Sequence, residues 1–449
     1  MGKKDVIYTS LDGATGESGI QVVSKRKLIQ TTETTAFLKE KFSRLEAQRL
    51  EKEGKLSEVN KKLEEKKNKQ ILVITHFNVF MYAACFFMQS GTLPYLTKKL
   101  GADPVTFGTL QTAFSVCQLL GGPIYGRIGD VMGERFAIIL AFSSTTLTYL
   151  VTGLSYNIPT LFLSRIFSVL MHVMQGSQMV ATSLSTAENR AGSLAQLGFS
   201  YGLGMVVGPS LGGLCTTNFG EQSSALLSAL GSLFSLILVI IFVPQINKQT
   251  KPKESNLLHL KKMSGLIVKP EVRGLLLIKT ICGIPIGILQ SMFAVVAMEQ
   301  FGLPADQNGF LMSYIGVLTL IMQGAGVALI SSRISDLNIV KVSAVTLALS
   351  YLALSLLRGL IDFLILLAPL VFSLSLINSV ISSTLTKVVS TGDTGTMLGI
   401  NMAVNSVIRS LAPTIGGWMI AQYGFASIGQ LGFVCNLLVL VIASTWVNL

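Results

Sequence analysis

The stretch Gly126-Arg-Ile-Gly-Asp-Val-Met-Gly-Glu-Arg135 is a charged, glycine-rich segment between two long apolar runs. Its glycines permit a tight turn, and the side chains of Asp130 and Arg135 can pair with each other or with a neighbouring helix end. The flanking runs, near residues 105–125 and 136–154, are each long enough to cross a bilayer as a helix. The stretch therefore predicts a short loop between two membrane-spanning helices. The alternative is a plain turn whose arginine only sets the topology.

Twelve such apolar runs are found when the sequence is followed outward from this loop. Hydrophobic residues make up 50% of the chain and charged residues only 13%, whereas a soluble domain carries roughly 25% charged residues. This composition excludes a soluble enzyme, a secreted module and a disordered protein. We therefore predict an all-α, polytopic membrane protein with twelve transmembrane helices. The predicted spans lie near residues 71–96, 105–125, 136–154, 158–183, 191–214, 222–243, 275–298, 307–331, 340–357, 361–387, 395–420 and 427–446.

The distribution of Lys and Arg predicts the orientation of these spans. Loops after even-numbered spans contain thirteen Lys and Arg residues, and loops after odd-numbered spans contain three. Because basic loops stay on the cytoplasmic side, both termini of this multi-pass integral membrane protein are predicted to face the cytoplasm. The net charge of +12 fits the anionic membrane surface, and we expect no nucleic-acid partner.

The order of sequence features repeats in the two halves of the chain. A repeat of six spans predicts two parallel six-helix pseudo-repeats, the layout of a large class of secondary transporters. The clearest match pairs Leu194, Pro209 and Gly212-Gly213 with Leu398, Pro413 and Gly416-Gly417, each 204 residues later.

These patterns also predict the domain boundaries. Residues 1–69 form a charged cytoplasmic tail that is partly disordered or helical, and residues 244–273 form a cytoplasmic central loop. Residues 70–243 and 274–449 form the two six-helix bundles. The tail and the central loop are the places where cytoplasmic protein partners could bind.

The loop after the second span resembles the signature of the major facilitator superfamily at the same place. Gly126, Asp130, Gly133 and Arg135 match that signature, and Glu134 stands where it usually has a basic residue. The resemblance implies that these four residues form a latch at the cytoplasmic face, closed in one state of the protein and released in the other.

A glycine-rich motif in the fifth span resembles the antiporter motif of the drug–proton antiporter branch of that superfamily. Small residues at four-residue spacing let helices approach closely, and a proline bends a helix. The resemblance implies a bend that seals one side of the passage; simple helix packing is the alternative. The motif consists of Gly204, Gly208, Pro209, Gly212 and Gly213.

Together the resemblances imply a secondary active transporter that works by alternating access. They imply proton-coupled antiport (efflux) of organic cations or drug-like amphiphiles, with a small-molecule substrate, protons and membrane lipids as partners. They also imply a monomer in the plasma membrane, apical in polarised cells, rather than in an internal membrane.

Ionisable and amide side chains within the spans are candidates for the substrate or proton path, because such groups are costly in a bilayer. Arg165 and His172 are seven residues apart, so a continuous helix would place them on one face. Asn401, Asn405 and Arg409 recur every four residues and predict a polar stripe on span eleven. The full candidate set is Arg165, His172, Lys279, Gln290, Asn401, Asn405 and Arg409.

The charges in the spans and the family resemblance predict substrates of different charge. No Asp or Glu lies in the middle of any span, so a cavity with Arg165 and Arg409 would favour anionic or neutral solutes on Coulomb grounds. The family resemblance implies cations. Two further hypotheses therefore stay open: a transporter of anionic or lipid-like solutes, and a transporter-shaped scaffold without flux.

The sequence does not indicate catalysis or a cofactor. It contains no Gly-x-x-x-x-Gly-Lys-Ser/Thr motif for nucleotide phosphates, and its three histidines are widely scattered. The five cysteines lie within or at the edge of apolar runs at no metal-ligand spacing. We therefore expect no enzyme activity, no metal site and no cofactor.

Overall fold

A computed structural model describes residues 55–185, 190–244, 260–357, 359–390 and 394–445. The pattern of contacts divides the chain into residues 1–70 and residues 71–449. Much of the predicted tail (residues 1–54) and of the predicted central loop (residues 245–259) lies outside the described residues. The account below therefore concerns the helices of the second unit.

Twelve helical spans follow one another through the described residues, and every regular element among them is a helix. A short helix, Leu260–Ile267, precedes the seventh span. The spans are α1 (Lys55–Lys99), α2 (Pro104–Met132), α3 (Glu134–Gly153), α4 (Ile158–Phe167 and Val173–Leu184), α5 (Arg190–Phe219), α6 (Ser223–Phe242), α7 (Pro270–Gln300), α8 (Ala305–Ile321 and Val327–Ser331), α9 (Asp336–Ser355), α10 (Leu360–Lys387), α11 (Thr394–Tyr423) and α12 (Ala426–Thr445).

The helix ends follow from local sequence. The Asp103 carboxylate accepts a hydrogen bond from the Thr106 backbone N–H at 2.8 Å, and Pro104 occupies the first turn of α2. Between α2 and α3, Gly133 has φ of 89°, a conformation that favours glycine and lets one helix follow another directly. The predicted loop at residues 126–135 is thus a single-residue turn, because Arg127 to Met132 continue α2.

Nine of the described spans are long and apolar enough to cross a membrane on composition alone. The three that fall short are α2, α5 and α11, which contain the glycine-rich motifs and several polar residues. These helices pack between the two halves of the bundle, α5 against α8 and α2 against α11. Their lower hydrophobicity is consistent with this position, because a helix covered by other helices exposes less surface to lipid.

Each half of the bundle has its own hydrophobic core. Tyr125 and Phe142 are fully buried in the first half, and Tyr351 and Phe363 are fully buried in the second. The core residues of the first half all fall within residues 71–243, and those of the second within residues 266–443. Aromatic side chains bury large apolar areas and so contribute to the stability of each bundle. A third buried cluster, which includes Leu96 and Phe107 of the first half and Met292 of the second, joins the two bundles.

The packing of α1 on α5 repeats in the packing of α7 on α11. Gly212 lies against Met88, and Gly416 lies against Met292, so both partners are shifted by the same 204 residues. One turn away, Gly208 of α5 faces Ala84, whereas in the second half Gly287 of α7 faces Ala412 of α11. The two helices therefore approach closely in both halves, but at this level the glycine lies on α5 in the first half and on α7, the counterpart of α1, in the second.

Candidate functional site

A cavity of about 520 Å³ lies between the two halves of the bundle. Helices α1 to α5 contribute its lining from the first half, and α7, α8, α10 and α11 contribute it from the second. The lining combines aromatic and aliphatic side chains with a few amides, hydroxyls and two arginines. A concave, mostly apolar space with a small number of polar groups is typical of a binding site for a drug-sized molecule.

The cavity is closed at one end, which we call the odd-loop end because it carries the loops after α1, α3, α5, α7, α9 and α11. There Gly108 of α2 lies against the Pro413 carbonyl of α11, and Gly309 of α8 lies against the Pro209 carbonyl of α5. A Cβ atom at either glycine would overlap the facing carbonyl oxygen. The two crossings are related by the internal repeat and bring backbone directly against backbone.

Hydrogen bonds reinforce the same closure. The hydroxyls of Thr112 and Thr414 are 2.8 Å apart, and those of Ser210 and Ser313 are 2.6 Å apart. The Asn308 amide donates to the Gly91 carbonyl at 3.1 Å. Between residues that the structure describes, every hydrogen bond joining the two halves lies at the odd-loop end; the two remaining ones are Tyr95 Oη to the Leu303 carbonyl and Thr217 Oγ1 to Asp306.

At the opposite end, the predicted latch residues are not paired with each other. Arg135 donates from Nη2 to the Ile240 carbonyl at 2.7 Å, near the end of α6, and Asp130 is exposed to solvent. In the second half, Asp336 accepts a hydrogen bond from Lys387 at 2.8 Å and one from Thr384 at 3.1 Å. Arg135 therefore bonds to the end of the neighbouring helix α6, which is one of the two partners predicted from the sequence.

The antiporter-type motif in α5 serves two interfaces. Gly204, Gly208 and Gly212 face α1, within the first half. Gly213 faces the Ala305 carbonyl of α8, and the Pro209 carbonyl faces Gly309 of the same helix. The glycines thus pack α5 on α1 while Gly213 and Pro209 form part of the contact between the halves.

Arg165 of α4 is the most buried charged group in the cavity lining, with 3% of its surface exposed. Its Nη2 donates to Thr152 Oγ1 at 3.3 Å, and its Nε has no hydrogen-bond partner. The guanidinium lies 5.9 Å from the centre of the Phe114 ring. A buried guanidinium with one weak hydrogen bond is available to a ligand.

Aromatic side chains from the first half line the cavity beside this arginine, and we call Phe86, Phe87, Phe114 and Tyr201 the aromatic wall. Phe86 and Phe87 are 5.2 Å apart between ring centres, and Phe87 and Tyr201 are 5.7 Å apart; both pairs have an edge-to-face geometry. From the second half, Arg409 of α11 lines the same cavity. The cavity lining thus contains one arginine from each half.

Three of the predicted path residues line the cavity, namely Arg165, Gln290 and Arg409. The other four do not. Lys279 is buried in α7 (3% exposed), Asn401 donates to Ser382 Oγ at 3.3 Å, Asn405 is exposed on α11, and His172 packs against Tyr125 with 5.4 Å between ring centres.

The continuous helix expected between Arg165 and His172 is not present, because α4 is interrupted between them. Residues Ser168–Leu170 form a 3-10 turn, and His172 has non-helical backbone angles (φ −116°, ψ 43°). Both side chains nevertheless face α2: Arg165 lies against Phe114, and His172 lies against Gly121 and Tyr125.

Several lining residues were not among the predicted ones. Four of them are amides that could have been predicted, because polar side chains within membrane spans are costly and stand out in the sequence. These are Gln89, Gln111, Gln323 and Asn378. The aromatic wall could not, because an aromatic residue in an apolar run gives no sign of whether it faces lipid, core or cavity. Among the described residues, no group of three His, Cys, Asp or Glu side chains could hold a metal ion.

A family model described as the Major Facilitator Superfamily matches residues 75–413. The chain belongs to the major facilitator superfamily of transporters, and the predicted twelve-helix fold is confirmed. Two mammalian relatives cover most of its length. It is 38% identical to mouse solute carrier family 22 member 18 over 83% of this chain and 95% of the relative. It is 35% identical to human solute carrier family 67 member A1 over 83% and 91%.

More distant relatives and solved structures agree with this assignment. The chain is 20% identical to multidrug resistance protein 2 of Bacillus subtilis over 78% of this chain and 88% of that one. The crystal structure of the human organic anion transporter MFSD10 has a TM-score of 0.63 at 19% identity, covering 84% and 99% of the two chains. These likenesses to solved structures concern the fold alone.

Proposed function

We propose that this protein moves amphiphilic organic solutes of drug-like size across a membrane by alternating access. The cavity between the two halves would bind the solute, and the two six-helix halves would rock around it. The bundles are those proposed from the sequence, residues 70–243 and 274–449, with the charged tail before them and the central loop between them. The odd-loop end would open when the opposite end closes.

The observation that carries this proposal is the position of the cavity relative to the contacts between the halves. The cavity of about 520 Å³ is lined by both halves, and those halves are held together by backbone crossings and hydrogen bonds at the odd-loop end. We assign the opposite end to the cytoplasm because its loops contain more Lys and Arg. The structure then represents the inward-facing state, with both termini in the cytoplasm.

The latch at Asp130 and Arg135 fits this state. We propose that Asp130, which is exposed here, finds its partner only when the cytoplasmic end closes. Arg135 would keep its bond to the end of α6 and hold the loop in place. Asp130 and Arg135 together would thus favour the state in which the cytoplasmic end is closed, which is the outward-facing state.

Two kinds of substrate have support, one from a relative and one from the charges of the cavity. Distant similarity to a protein named for multidrug resistance supports efflux of drug-like compounds, for which the sequence motif implies exchange against protons. The two arginines of the cavity lining, Arg165 and Arg409, support anionic solutes instead. We propose the plasma membrane, apical in polarised cells, as the location and a monomer as the working unit, with membrane lipids around it and the tail and central loop available to cytoplasmic proteins.

Reconstitution into liposomes tests this proposal. With an imposed pH gradient, we expect saturable uptake or release of at least one labelled amphiphile from a set of cationic, neutral and anionic compounds.

Arg409→Ala should abolish flux, because it removes a cavity charge, whereas Asp130→Asn should slow flux and leave binding intact. Arg333→Ala, an exposed residue away from the cavity, is the control. Failure of every compound to move would favour a scaffold, and full wild-type rates in both test variants would contradict the path and the latch.

A further inference from the structure

We propose that the cavity binds organic anions that contain an aromatic ring, with the anionic group at Arg165 and Arg409 and the ring on the aromatic wall. This inference rests on the proposed function, since it takes the cavity as the transport site. It names one substrate class where the proposed function leaves two open.

The charge of the cavity is the first step. Arg165 and Arg409 are the only side chains with a full charge in the lining, which includes neither Asp nor Glu among the described residues. In a site of low dielectric constant, two fixed positive charges attract an anion strongly and repel a cation. A cation would have to enter without a carboxylate to receive it.

The second step is the incomplete bonding of buried donors. Arg165 is 3% exposed, and its Nε–H has no acceptor within the described chain. Gln89 is 5% exposed, also lines the cavity, and its Nε2 has no acceptor either. Buried charges in proteins are normally paired, and unpaired buried donors are costly. A carboxylate or sulfonate beside Arg165 in the cavity would stabilise its positive charge, which has no carboxylate partner among the described residues.

The third step is the position of the aromatic wall. Arg165 lies 5.9 Å from the centre of the Phe114 ring, and that ring lies 6.1 Å from Phe86. Tyr201 of the wall and Arg409 of α11 line the same cavity. Aromatic surface beside a cationic group suits a ligand whose ring and anionic group are adjacent.

The fourth step is the origin of the two arginines. Arg165 belongs to the first half and Arg409 to the second. An anion between them is attracted by both halves at once. Binding would therefore favour a state in which the halves approach around the solute, so the same two charges select the substrate and promote closure.

A binding experiment with charge-matched probes tests the inference. The full chain, purified in detergent, is titrated calorimetrically with naphthalene-2-sulfonate, with 2-naphthyltrimethylammonium and with neutral 2-methoxynaphthalene. We expect the sulfonate to bind and the ammonium compound not to bind. Arg165→Gln and Arg409→Gln should each weaken sulfonate binding by about tenfold or more, because each removes a charge-assisted hydrogen bond. Arg409→Lys should keep part of the affinity, and Arg333→Gln should change nothing.

The variant Asn378→Asp provides a second test that does not depend on the correct folding of an arginine variant. Asn378 lines the cavity from α10 and is exposed within it, so a nearly isosteric acid is compatible with folding. The added carboxylate should weaken sulfonate binding and permit ammonium binding. The inference is overturned if the ammonium probe binds as tightly as the sulfonate, if no probe binds, or if neither Arg409→Gln nor Asn378→Asp changes the sulfonate affinity.

The outcome also separates this inference from the proposed function. Sulfonate binding without any flux in liposomes would contradict the transporter and leave the anion site standing. Flux of cations alone would support the transporter and overturn the anion site.

Discussion

At the scale of single residues, the break in α4 shows how side chains compensate for lost backbone hydrogen bonds. The 3-10 turn at Ser168–Leu170 leaves carbonyls without helical partners. Ser144 Oγ donates to the Phe167 carbonyl, and Gln118 Nε2 donates to the Met171 carbonyl at 3.1 Å. Buried carbonyls need such partners, so the break is built into the packing of three helices rather than left as a local defect.

The break also requires a glycine on α2, which gives a residue-scale prediction. A Cβ at Gly121 would overlap the Val169 carbonyl, whereas a Cβ at Gly122 would make an ordinary contact 3.6 Å from His172. We expect Gly121→Ala to lower the free energy of unfolding by about 1–3 kcal/mol through overpacking. Gly122→Ala, one residue away in the same helix, is the matched control. Thermal unfolding in detergent compares them, and equal melting temperatures would contradict this view of the break.

At the scale of helices, closure at the odd-loop end depends on glycines that face backbone across the two halves. Gly213 of α5 lies against the Ala305 carbonyl of α8, and Gly417 of α11 lies against the Pro104 carbonyl of α2. Helices that touch backbone to backbone cannot accept even a methyl group without moving apart. The contact is therefore sensitive to the smallest possible substitution.

The corresponding prediction uses control glycines in the same helices. Gly213→Ala and Gly417→Ala should weaken closure and shift the protein towards the state in which the odd-loop end is open. Gly198→Ala in α5 and Gly399→Ala in α11 should not, because nothing lies within 4 Å of a Cβ at either position. A cysteine placed at Ser115 in the cavity reports the shift. An impermeant maleimide added from the odd-loop side should label it faster in the first pair only; equal rates in all four variants would contradict the prediction.

At the scale of the whole molecule, hydropathy predicts the number and order of the helices well. The span expected near residues 136–154 is the helix Glu134–Gly153, and the helices expected to be glycine-rich are those that pack between the halves. Lipid and backbone hydrogen bonding leave few alternatives to helices of this length. The break in α4 could not be predicted, because residues 168–171 contain no proline or glycine to signal it and the break depends on partners in α2 and α3.

The cavity was predictable only in part. A charged or amide side chain in an apolar helix stands out, which is why Arg165, Gln290 and Arg409 could be named before their positions were known. Lys279 and Asn401 stand out equally in the sequence but do not line the cavity. The face of a helix that meets the cavity is decided by packing between helices, and hydropathy along one helix does not contain that information.

The central claim is that the cavity faces the two sides of the membrane in turn. Its most direct test is a reversible cross-link between Ser210→Cys of α5 and Ser313→Cys of α8, whose hydroxyls are 2.6 Å apart. The chain has its five native cysteines replaced by alanine and carries Ser115→Cys as the reporter; Ser210→Cys alone is the control. The rate of maleimide labelling from the odd-loop side is measured before and after reduction. We predict that the disulfide stops labelling from this side, preserves labelling from the opposite side and is fully reversed by reductant. Equal labelling from the odd-loop side in the cross-linked and reduced protein would contradict alternating access.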